Sequence, residues 1–111
     1  MSKDDSLYLR HILDAIANIE SFLKDVNQDY FKSSKLVQDA VIRNLEIIGE
    51  AAKRVPKKYK DQCPAVEWKK VSGMRDVLIH DYLGVDVDIV WAVVQNRLPA
   101  LKLNIQKILQ P

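Results

Sequence analysis

Cysteine occurs once in this sequence, at Cys63, so no disulfide can form within the chain, and a reducing compartment suits it. Histidine is nearly as scarce. His11 and His80 are the two present, and a site with several imidazole ligands would need more than one chain. Glycine numbers 3, too few for an all-β fold rich in tight turns. No apolar run reaches the ~18 residues of a membrane span, and no secretory apolar stretch follows Met1-Ser2-Lys3-Asp4-Asp5. The formal charge is only +2, which does not point to nucleic acid unless the cations cluster. There is no internal repeat and no low-complexity segment. The expectation is a soluble cytoplasmic protein with no membrane association, no metal or other cofactor, and no DNA partner.

What is present suffices for one packed domain spanning 1–111. The chain has 111 residues, of which 48% are hydrophobic, enough to bury a core and too many for a disordered tail. The apolar residues recur at helical spacing. Leu9, Ile12, Ile16, Ile19, Leu23 and Val26 form one stripe in steps of three and four, behind a start near Asp4 to Ser6. His11 lies off that stripe and reads as a surface residue. Asn27-Gln28-Asp29 marks a break, and Ser33 or Ser34 can cap a second long helix. Its inner row is Val37, Val41, Asn44, Ile48, Ala51 and Val55. Asn44 interrupts that row, either as a buried amide that fixes register between helices or as a group facing a polar cleft shared with residues 73–82. Glu46 and Glu50 read as a solvated face.

Pro56 ends this helix, because its ring disfavours helical geometry at Val55. Around it lie Lys53, Arg54, Lys57, Lys58 and Lys60. Such a cluster can answer the helix macrodipole and sit in a solvated loop, or it can track RNA phosphates. Tyr59 and the Lys69-Lys70 pair lean toward single-stranded nucleic acid. Pro64 can open a short helical turn carrying Trp68 as a core anchor, and Gly73 supplies a joint. Gly84 is placed to cap the helix that follows, and Asp86 to start the last segment, whose apolar side runs Val87, Val90, Trp91, Val94, Leu98, Leu101, Ile105 and Ile108. Pro99 should kink or divide it. The fold expected is an all-α, up-and-down bundle of four to five helices with short loops.

One stretch concentrates chemistry: Gly73-Met74-Arg75-Asp76-Val77-Leu78-Ile79-His80-Asp81-Tyr82. Read as a helix, it places Arg75 and Tyr82 within ~20° of each other and His80 ~140° round from Arg75. Asp76 stands one turn below His80, where a carboxylate can orient the imidazole. Met74, Val77 and Leu78 remain to dock the helix. Arg75 and His80 cannot both point straight at one small target from a regular helix. Either the long Arg75 side chain sweeps round, or a second copy of the helix supplies the missing group. Metal-free RNA cleavage favours two copies, since it uses a base for the 2′-hydroxyl proton, an acid for the leaving 5′-oxygen and cations for the phosphate.

This stretch, followed by Leu83-Gly84-Val85-Asp86 and Val90-Trp91, together with Asn44 to Ala52 and Leu98-Pro99, resembles the HepT family of the HEPN superfamily. The resemblance covers nearly the whole chain. It implies a helical bundle that forms a symmetric homodimer, with a composite Arg/His site at Arg75 and His80, and with Asp76 as the polar residue after the arginine. It further implies a metal-independent endoribonuclease toxin of a type II- or VII-like toxin–antitoxin pair. The partner implied is an MntA-type minimal nucleotidyltransferase antitoxin that places AMP on Tyr82, with a larger oligomer as a further assembly. The alternative is a non-catalytic HEPN module that docks a nucleotidyltransferase or a nucleotide. A third reading is a helical scaffold in which Arg75 and His80 merely pair with carboxylates.

Overall fold

The computed structural model describes residues 5–74 and 86–110. Every regular element among them is helical: α1 Leu7–Phe22, α2 Gln28–Ser33, α3 Lys35–Arg54, α4 Lys57–Gln62, α5 Trp68–Ser72, α6 Val87–Asn96 and α7 Leu98–Leu109. The expected all-α bundle is what the chain forms. Among the described residues four long helices make the frame; of the three short ones, α2 and α4 fill segments that the sequence pattern reads as a break and a loop, and α5 is the short turn expected to carry Trp68. None of the described helices is long and apolar enough to cross a membrane.

The α1–α3 pair is the spine. On α1, Leu9, Ile12, Ile16 and Ile19 are each no more than 1% exposed, the stripe that the spacing predicts. The helix stops sooner than the stripe does. Leu23 is its C-cap, and Asp25 turns the chain with φ 62°, a left-handed conformation that Asp tolerates better than branched residues do. Leu23 and Val26 still pack on the core from outside the helix.

Asn27 then caps α2, its side chain accepting the Tyr30 N–H at 2.8 Å. The expected break is therefore shorter than Asn27–Asp29, and the two turns after it bury Phe31 completely. Its ring lies 5.3 Å from that of Trp91 on α6. Ser34 accepts the Val37 N–H to start α3. Val41, Ile48, Ala51 and Val55 are buried along the predicted inner row, while Val37 is half-buried.

Asn44 is the buried polar residue of this row. Its Oδ1 accepts from Asn18 Nδ2 at 3.1 Å, and its own Nδ2 donates to the Ala40 carbonyl at 2.9 Å. The register reading of Asn44 thus finds its partner on α1. Together with the approach of Arg54 to Tyr8, this bond shows that α1 and α3 run antiparallel. Asn44→Ala should strand Asn18 and lower stability by about 1–3 kcal/mol, measured by urea unfolding. Asn18→Ala in the same background should then add little.

Pro56 closes α3 as expected and stands at the N-cap of α4. Trp68 begins α5, with its indole N–H donating to the Cys63 carbonyl at 3.1 Å. Asp86 caps α6 through Oδ1, which accepts from the N–H groups of Asp88 and Ile89. Pro99 divides the final segment: α6 ends at Asn96, and the proline sits in the first turn of α7, where a missing N–H costs nothing. Val90, Val94, Leu98, Leu101 and Ile105 are buried from both halves. Gly73, the C-cap of α5, has φ −83°. That conformation is open to any residue, and a Cβ there would meet its nearest neighbour at an ordinary 3.4 Å. The joint does not depend on glycine.

Candidate functional site

Arg75, Asp76, His80 and Tyr82 lie outside the described residues, as do Val77, Leu78 and Gly84. The frame does describe how the chain enters and leaves that stretch. On the entry side the Gly73 N–H donates to the Lys69 carbonyl at 3.0 Å, and Met74 is buried in the core cluster at 8% exposure. Met74 also forms part of the wall of a cavity of about 230 Å³, with Lys70, Arg97, Leu98 and Leu101 around it. On the exit side the double cap by Asp86 fixes where α6 begins. The chain is thus anchored immediately before Arg75 and immediately after Val85.

The five basic residues around Pro56 come together at one end of the spine. Lys53 and Arg54 occupy the last turn of α3, where cations answer the macrodipole. Lys57, Lys58 and Lys60 lie on α4. Three of them hold carboxylates: Lys53 with Glu50 at 3.5 Å, Lys57 with Asp61 at 2.8 Å, and Lys58 with Asp5 at 2.6 Å. Lys57 and Lys58 donate hydrogen bonds to Asp61 and Asp5 respectively, which raises the pKa of each ammonium. Exposed pairs of this kind are weak, being screened by solvent, and an arriving phosphate can displace them at little cost.

Two of these cations also meet aromatic rings. The Arg54 guanidinium lies 6.0 Å from the Tyr8 ring centroid, and Lys58 Nζ lies 5.1 Å from that of Tyr59. Tyr8 in turn meets the His11 ring edge-on at 5.7 Å. His11 is exposed, as its place off the apolar stripe predicts. What sequence reasoning missed is that Tyr8, His11 and Asn18 form a polar row along α1, opposite Asn44 and Arg54 of α3. The signal was present in the three- and seven-residue steps from Tyr8 to His11 and from His11 to Asn18. Recognising it required knowing that α1 and α3 pair antiparallel.

The family model described as Ribonuclease HepT-like matches residues 12–108. Among similar proteins, one of Methanocaldococcus jannaschii named "Gamma-glutamylcyclotransferase and putative RNase" is 46% identical over 99% of this chain, which spans 50% of that protein. A "Probable ribonuclease HepT" of Thermococcus cleftensis is 42% identical, covering 97% of this chain and 98% of its own length. A "Putative RNase" of Caldanaerobacter subterraneus is 38% identical over 93% of this chain and 92% of its own. No solved structure matches at a comparable level of significance.

Proposed function

Because the chain belongs to the HepT-like ribonuclease family, we propose that it is a metal-independent endoribonuclease whose site is built from Arg75, Asp76 and His80. The observation that carries this reading is the family match across residues 12–108, which takes in the whole Gly73–Tyr82 stretch. In the proposed reaction an imidazole accepts the 2′-hydroxyl proton and the 2′-oxygen attacks phosphorus. The bond to the 5′-oxygen breaks, and a second imidazole returns a proton to that oxygen. The products are a 2′,3′-cyclic phosphate end and a 5′-hydroxyl end. Arg75 stabilises the charge that builds on the phosphate, and Asp76 orients His80. One chain brings a single histidine to this stretch, so the reaction draws on two copies of the chain in a symmetric dimer.

Tyr82, two residues beyond His80, is the proposed acceptor of AMP from a nucleotidyltransferase antitoxin. An AMP group there adds bulk and negative charge where an RNA phosphate must lie, which shuts the site by sterics and repulsion. Under this reading the protein is the toxin of a toxin–antitoxin pair. The test is incubation of the purified protein with single-stranded RNA in EDTA. Cleavage leaving cyclic phosphate ends is expected. Tight RNA binding without turnover, even with protein in excess over RNA, would favour the non-catalytic docking module instead.

A further inference from the structure

The α1–α3 face carries two adjoining cavities of about 220 and 190 Å³, which share His11 and Ile47. The first is walled by Tyr8 and His11 on one side and by Arg43, Glu46 and Arg54 on the other. It opens beside the basic end of the spine, since Arg54 belongs to both. We infer that this cavity is a stacking subsite for one unpaired base of a single-stranded RNA, with Tyr8 as the platform. The inference rests on the ribonuclease reading, but it concerns residues that reading does not use.

Three observations support a base. Nucleobases stack on flat rings and on guanidinium planes, and the cavity offers both, with the Arg54 guanidinium 6.0 Å from the Tyr8 ring centroid. The charges inside favour a base over a phosphate: the carboxylates of Glu46 and Glu50 line the cavity with the two arginines, so an anion gains little there. A base, by contrast, presents N–H donors to Glu46 and ring acceptors to arginine. The surroundings meanwhile suit the rest of the strand. Lys53, Lys57 and Lys58 lie at the same end of the spine, and the pairing of Lys58 with Asp5 ties α4 to the entrance of α1. Phosphates on those lysines leave the intervening base free to turn into the cavity.

The experiment measures affinity by fluorescence anisotropy, with the full-length chain and a labelled single-stranded RNA whose 2′-hydroxyls are all methylated, so that it cannot be cut. A strand of equal length lacking bases serves as comparison. Tyr8→Leu keeps an apolar side chain in place but removes the flat face. It should weaken binding to the base-bearing strand about tenfold, while Tyr8→Phe should bind like the wild type. Both proteins should bind the baseless strand alike. Equal affinity of Tyr8→Leu and wild type for the base-bearing strand overturns the subsite, as does an equal loss on both strands. If the methylated strand is bound through Tyr8 but an unmodified strand of the same sequence is never cut by the wild type, the subsite stands and the nuclease reading falls. If no RNA binds at all, both fall.

Discussion

His80→Ala is expected to abolish RNA cleavage in EDTA, lowering the rate by about 10²–10⁴-fold, while leaving the circular dichroism spectrum and melting temperature unchanged. The size of the loss follows from scarcity. The other histidine, His11, lies on α1 within the polar α1–α3 groove and is assigned no part in proton transfer. No other side chain of the proposed site titrates near neutral pH. Arg75→Ala should fall in the same range, because a preorganised cation at a charging phosphate is worth several kcal/mol. The proposed two-chain site gives a sharper readout. Adding excess His80→Ala protein to wild type should suppress activity beyond simple dilution, since in the proposed dimer a mixed pair would hold one imidazole where two are used. Strict proportionality to the wild-type fraction would rule out the shared site. Full activity of His80→Ala would remove the ribonuclease mechanism altogether.

Phe31→Ala is expected to cost about 3–5 kcal/mol of folding stability. For a chain of this size each kcal/mol lowers the melting temperature by several degrees. Phe31 is fully buried and is the one buried residue of α2. Its ring lies against Trp91, so one side chain joins α2 to α6. The neighbouring Tyr30, 56% exposed, is the internal control: Tyr30→Ala removes a ring of similar size and should cost less than about 1 kcal/mol. Similar melting temperatures for the two variants would show that Phe31 does not hold α2 to the bundle.

Much of the frame was legible because its signals are local and redundant. The stripe of α1 and the inner row of α3 each repeat the helical period over several turns, and Ser34, Pro56, Asp86 and Pro99 act where their chemistry says they must. What escaped was whatever depended on a second element. Asn27-Gln28-Asp29 reads as a break before a cap at Ser33 or Ser34, with no helix between them; the burial of Phe31 that holds α2 there shows only once Trp91 is opposite it. Asn44 admitted two readings until Asn18 was placed across from it. The candidate site divides along the same line. The spacing of Arg75 and His80 is common on helices and carries little by itself; Arg75, Asp76, His80 and Tyr82 were recognisable through the resemblance of the whole Gly73–Tyr82 stretch to a family motif, and their proposed roles rest on that resemblance and on chemistry. The basic residues were recognisable as a cluster; the approach of Arg54 to Tyr8 was not.

Met74, buried in the core cluster, and Asp86, which caps α6 through two N–H groups, fix the points at which the chain leaves and rejoins the described bundle. Asp86→Ala should therefore loosen the point of return and cost about 0.5–2 kcal/mol of stability, without altering any residue of the proposed site.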